Sequence, residues 1–189
     1  VGYDGQYSVE RIVAFLQPHD PSILCLQEIE SNQARQQTRI WSKVHSSDQP
    51  KEIASLLNMK HYYFAPAIRS VVPPPDNSSS PMSFRERHDL EEAKYGGFGI
   101  AILSKYEILK VRVHKYERYG EKTLRNALAC LVSLPSTSST KNEKKVWVVN
   151  THLGCHWGGE QHQQAKELVR FVEVLDEEVS SSSEDNNAG

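Results

Sequence analysis

The hexapeptide Ile23-Leu-Cys-Leu-Gln-Glu28, set directly after the helix-breaking Asp20-Pro21, constrains this chain more than any other stretch. A short apolar run bounded by a turn signal has the pattern of a buried strand. It ends abruptly in an amide and a carboxylate, and ionised carboxylate oxygens are the ligands that a hard cation such as Mg²⁺ selects. A strand whose last residue merely reaches solvent reads the same way, so the hexapeptide alone decides nothing. A second apolar run, Val146-Trp-Val-Val-Asn-Thr-His152, also closes on polar, chemistry-bearing side chains. Two such runs favour a shared site at strand ends.

The chain has 189 residues, the length of one domain with a real core. A net charge of -2 argues against a strongly basic nucleic-acid surface, although a local groove needs only a few cations. No window approaches the roughly 18 consecutive apolar residues of a membrane span, and no secretory signal opens the chain. Because the sequence starts at Val1 rather than Met, a fragment or processed product is expected. Cys25, Cys130 and Cys155 form no Cys-x-x-Cys pair. Neither a disulfide framework nor a zinc knuckle follows, and a reducing, intracellular compartment is the default expectation.

Val9, Ile12, Val13 and Leu16 fall on one face of a helix over 8–16, stopped by Pro18. Further helices are expected over 48–57 and 160–179, the latter with Leu168, Val172, Leu175 and Val179 in one stripe. Strands are expected at 23–28, 61–65, 96–104, 107–116, 123–134 and 145–153. Residues 71–83 read as a Pro/Ser loop and 135–144 as a hairpin connection. The domain therefore spans 1–179, and 180–189 is an acidic, Ser-rich tail without means of burying itself. Hairpin-linked strands with helices at both ends indicate an α/β (α+β) sheet protein, largely antiparallel. The runs at 23–27, 99–103 and 146–149 are apolar on both faces, as in a sheet covered on both sides.

Other chemistries fit less well. His152, His156 and His162 suggest zinc, but closed zinc sites want four ligands with Cys support. Cys155 beside these histidines makes no dyad, because strand neighbours point to opposite faces. Gly96, Gly97 and Gly99 lack the strand-before, helix-after setting of a nucleotide loop. Trp157-Gly-Gly159 reads as a turn with a packed indole.

Taken in order, Tyr7-Ser-Val-Glu-Arg-Ile12, Asp20-Pro-Ser-Ile-Leu-Cys-Leu-Gln-Glu28, Gly99-Ile-Ala-Ile-Leu-Ser104, Arg125-Asn-Ala-Leu128, Val148-Val-Asn-Thr-His-Leu-Gly154 and Gln164-Ala-Lys-Glu-Leu168 resemble the endonuclease/exonuclease/phosphatase superfamily of deoxyribonuclease-like phosphoesterases. The resemblance implies a four-layer α/β/β/α sandwich with the site at one end of two sheets. It implies Glu28 as the divalent-metal carboxylate, with Mg²⁺ as cofactor and Mn²⁺ as an alternative. His152 takes the place of the side chain set against the scissile phosphate, and Asn150 accompanies it on the same strand face. Arg125 is placed to contact a phosphate oxygen, though a plain surface Arg reads the same. Trp157 lies on a rim that serves recognition in members with extended substrates, while Gln27 and Ser104 support the site.

The departures are as informative. The family's opening strand with its Asn, its Gly-Asp-x-Asn motif and its terminal Asp-His pair are absent from these residues, and Gln161 stands where many members have Arg. The resemblance therefore covers the front and middle of the domain. The expected function is Mg²⁺-dependent hydrolysis of a phosphodiester or phosphomonoester, with the segment alone inactive. A catalytically silent interaction module that retains the sandwich is the alternative. The substrate, whether nucleic acid, phospholipid-type or inositol phosphate, stays open; the near-neutral charge tilts away from long duplex DNA.

Overall fold

Among the described residues, two α-helices open onto a three-stranded sheet, a second three-stranded sheet packs behind it, and a long helix closes the far side. The computed structural model describes residues 8–31, 48–71, 95–117, 124–135, 144–154 and 159–184. Helix α1 (Val9–Leu16) starts at Ser8, whose hydroxyl accepts the Arg11 N–H at 3.2 Å, an N-cap that satisfies one orphan donor. Helix α2 (Gln49–Leu56) carries Pro50 in its first turn, where a missing N–H costs nothing. Both helices lie on the first sheet, built from β1 (Ile23–Ser31), β2 (His61–Val71) and β3 (Tyr95–Ser104) in the order β1-β3-β2, all antiparallel. The second sheet holds β4 (Ile108–Lys115), β5 (Asn126–Leu134) and β6 (Lys144–His152) in sequence order, again antiparallel.

Strand alternation builds two cores. Along β3, Ala101 and Leu103 face the helices and join Val9, Val13, Ile29, Ile53 and Leu57. Ile100 and Ile102 face the second sheet and meet Leu128, Cys130 and Val132 of β5. The sheets stack with β1 over β6, β3 over β5 and β2 over β4. Helix α3 (Glu160–Glu184) lies on the outer face of the second sheet. There the Glu178 carboxylate grips Lys110 and Arg112, and the Glu167 carboxylate meets His114 Nε2 at 2.8 Å. The expected four-layer α/β/β/α sandwich is thus the observed one.

Four expectations change. Helix α3 runs on to Glu184 rather than stopping near Val179. Neither Gly nor Pro intervenes to stop it, and each Ser costs only about 0.5 kcal/mol relative to Ala. The three runs expected to be covered on both faces lie in β1, β3 and β6 of the two stacked sheets, but Cys25 of β1 is exposed. Strand β1 does not end at Glu28: it continues to Ser31 through a bulge between Leu26 and Ile29. Val71, expected to open a loop, instead ends β2; the rest of that loop, 72–83, and the 136–143 part of the hairpin connection lie outside the described residues.

The crossing of β3 and β2 depends on Gly99. A Cβ there would sit 2.1 Å from the carbonyl oxygen of Ala65 and 2.8 Å from Cα of Pro66. Backbone cannot yield as a flexible side chain does, so Gly99→Ala is expected to destabilise the fold by about 1–3 kcal/mol. Urea unfolding of the two proteins at one pH checks this; an unchanged midpoint would contradict the close approach.

Candidate active site

The edge strands β1 and β6 come together at the position the sequence singles out. On β1, Leu24 and Leu26 point towards the helices, and so does Ile29, three residues further on. A regular strand cannot keep 24, 26 and 29 on one face, so the chain inserts one extra residue as a β-bulge. Glu28 absorbs it with φ of +53°, a left-handed conformation that costs a non-glycine side chain about 1–2 kcal/mol. Its carboxylate is 68% exposed and stands beside the end of β6.

Strand β6 brings His152 to that carboxylate, with Nε2 3.7 Å from Glu28 Oε1. At this range charge is felt but no hydrogen bond is made. The other ring nitrogen, Nδ1, lies 3.0 Å from a terminal guanidinium nitrogen of Arg125. Arg125 gets there because it immediately precedes β5, whose first residue, Asn126, pairs with His152. A guanidinium only donates, so Nδ1 accepts and the neutral ring carries its proton on Nε2. Burial, the Arg125 charge and, in the opposite sense, the Glu28 charge act on this imidazole, and the net effect lowers its basicity. The His152–Glu28 contact is therefore a neutral ring beside a carboxylate rather than an ion pair. His152 accordingly favours the neutral form more strongly in the folded chain than in the unfolded one. Its contribution to stability is complete above the ordinary histidine range and declines as pH falls towards the depressed value. Arg125→Met is expected to shift the His152 titration upward, as read by ¹⁵N NMR; an unmoved midpoint would contradict the coupling.

Arg125 is itself buried, and its Nε has no hydrogen-bond partner among the described residues. A buried guanidinium donor left unsatisfied is costly, and an anion is its natural partner. Asn150 is 4% exposed, and its amide donates to the carbonyls of Leu26 at 2.8 Å and Ala101 at 3.0 Å. Gln27 returns the favour, its amide donating to the Thr151 carbonyl. Behind this strand, the Tyr116 hydroxyl lies 2.7 Å from Thr151 Oγ1. The segment after His152 is held by the buried Gln164, which accepts the Gly154 N–H at 2.7 Å and donates to Glu160 at 2.9 Å.

The structure thus assembles Glu28, His152, Arg125 and Asn150 at one end of the stacked sheets. Trp157, expected on the rim, lies outside the described residues, as does His156. Ser104 pairs with Ile23 at the far end of β1, where its hydroxyl accepts the Tyr106 N–H, so it does not support the site. His162 is exposed on α3. Among the described residues no group of three or more His, Cys, Asp or Glu side chains could hold a metal ion. Sequence reading missed Tyr116 and the bulge; the signal for the latter was the 24, 26, 29 spacing of the apolar residues.

A sequence comparison with curated proteins finds no match. Among solved structures, an endonuclease/exonuclease/phosphatase family protein from Leptotrichia buccalis C-1013-b is similar at 11% identity and a TM-score of 0.46, over 88% of this chain and 56% of that one. This chain therefore spans little more than half the length of that relative. The model of the endonuclease/exonuclease/phosphatase family matches residues 3–178, and the chain belongs to that family.

Proposed function

We propose that the protein carrying this chain hydrolyses phosphate esters, with a divalent cation, Mg²⁺ or Mn²⁺, at Glu28 and the phosphoryl group against His152 and Arg125. The observation that carries this reading is the constellation itself: an outward carboxylate, an Nε2–H donor 3.7 Å away, and a buried guanidinium whose Nε–H has no partner among the described residues. The donor set suits a hard cation, because Mg²⁺ is commonly held by one or two carboxylates plus water and substrate phosphate. Zinc, which prefers nitrogen and sulfur, finds no such set among the described residues. When bound, the cation supplies Lewis-acid polarisation of a phosphoryl oxygen.

The chain's own residues do the rest. Arg125 neutralises phosphoryl charge from a buried position where water screens little. It also holds the His152 ring, so that Nε2–H is available to a phosphoryl oxygen as charge develops there. The bulge takes Glu28 out of the β1–β3 ladder, and its exposed carboxylate stands where a solvated cation can reach it. The site is tested by assaying a phosphodiester and a phosphomonoester with Mg²⁺, with Mn²⁺ and after EDTA treatment. Hydrolysis that EDTA abolishes and either ion restores is the expected result. Equal turnover with and without EDTA would contradict the metal, and no turnover under any condition would favour a silent interaction module.

A further inference from the structure

Residues 26–28 of β1 and 150–152 of β6 face each other as three consecutive rungs. The Asn150 amide donates to the Leu26 carbonyl, the Gln27 amide donates to the Thr151 carbonyl, and Glu28 stands opposite His152. The first two rungs run in opposite directions, one from each strand, and they are the two immediately before the reactive pair. We infer that Asn150 and Gln27 form a reciprocal clamp between the sheets, and that its task is to set the separation of the Glu28 carboxylate from the His152 ring. This deepens the reading given under Proposed function and rests on it.

Side-chain chemistry favours this assignment over a direct part for Asn150 in the reaction. Both carbonyls it serves accept from the same amide nitrogen, at 2.8 and 3.0 Å. A primary amide has two N–H groups on that nitrogen, so Asn150 has no donor left for a substrate. One of the two carbonyls, that of Leu26, is the last before the bulge; the other, that of Ala101, belongs to its partner on β3. The amide therefore ties β6 to both strands where the β1–β3 ladder is interrupted. Apolar contact between stacked sheets is non-directional and does not fix their relative position finely. Hydrogen bonds across the gap do, and a misplacement of about 1 Å near the chemistry can cost about 100-fold in rate. Asn150 and Gln27 are thus positioning residues.

The test compares Gln27→Met and Asn150→Leu, which remove the donors without adding charge, with Val132→Ala. Val132 is a core residue at the far end of β5, paired with Ile108. Mn²⁺ affinity is measured by electron paramagnetic resonance without substrate, below the melting temperature of each variant, beside the rate of phosphoester hydrolysis. Loss of a residue that orients a metal ligand commonly weakens binding about 10–100-fold. A weakening of that size is expected for both clamp variants, none for Val132→Ala, and the double variant should be little worse than either single one. Exposed Gln27 carries the test if Asn150→Leu fails to fold. Wild-type affinity and rate in folded Gln27→Met would overturn the clamp while leaving the proposed function intact. A wild-type protein that neither binds Mn²⁺ nor hydrolyses would overturn both.

Discussion

Glu28→Gln is expected to lower metal-stimulated phosphoester hydrolysis by about 100-fold or more. A cation's stabilisation of phosphoryl charge is worth several kcal/mol, and about 1.4 kcal/mol corresponds to each factor of ten in rate. Gln keeps the size and one oxygen but removes the charge, and no cluster of three or more metal-ligating side chains stands ready to replace it among the described residues. The loss should not come from unfolding, because the Glu28 side chain is largely exposed. A companion variant separates the two effects. Glu28→Gly relieves the left-handed strain, worth about 1–2 kcal/mol, and gives back about 0.4–1 kcal/mol as unfolded-chain freedom. Its stability should therefore match that of wild type or exceed it by up to about 1.6 kcal/mol, while its activity falls as far as that of the Gln variant. Wild-type turnover in Glu28→Gln would remove the carboxylate from the mechanism.

His152→Ala is expected to cost about 10²–10³-fold in kcat, the effect of deleting one preorganised donor to a developing oxyanion. Replacement by Gln is the sharper experiment. A Gln amide offers an N–H near the position of Nε2 but cannot exchange a proton near neutral pH. Arg125 holds the ring as a neutral Nε2–H donor, and burial together with the Arg125 charge lowers its basicity. His152→Gln should therefore recover part of the loss seen with Ala. Equal losses for Ala and Gln would instead assign His152 a proton-transfer role.

Much of this site was legible in the chain because strand ends are legible. Apolar runs that stop at polar residues located Glu28 and His152 before any geometry was known, and alternation put Asn150 on the His152 face. Alternation says which side of a strand a residue occupies but not what stands opposite. The spent donors of Asn150 and the stacking of β1 over β6 were invisible for that reason. The bulge was written in the spacing of Leu24, Leu26 and Ile29, but a break in period two carries no sign of its purpose. Arg125 read equally well as a surface cation; its burial follows from the register of β5 on β6, which depends on pairing between segments far apart in sequence. The end of α3 was misread because a polar Ser/Glu composition was weighed above the absence of any helix breaker.

The central claim, a cation held by the carboxylate at 28 with the imidazole at 152 facing it, is tested most directly by paramagnetic NMR. Mn²⁺ added to ¹⁵N-histidine-labelled protein should broaden the His152 ring signals at substoichiometric metal. His114, paired with Glu167 on the outer face of the second sheet, should broaden only later, and Glu28→Gln should abolish the selective effect. Broadening of His114 before His152, or selective broadening of His152 that survives in Glu28→Gln, would contradict the account.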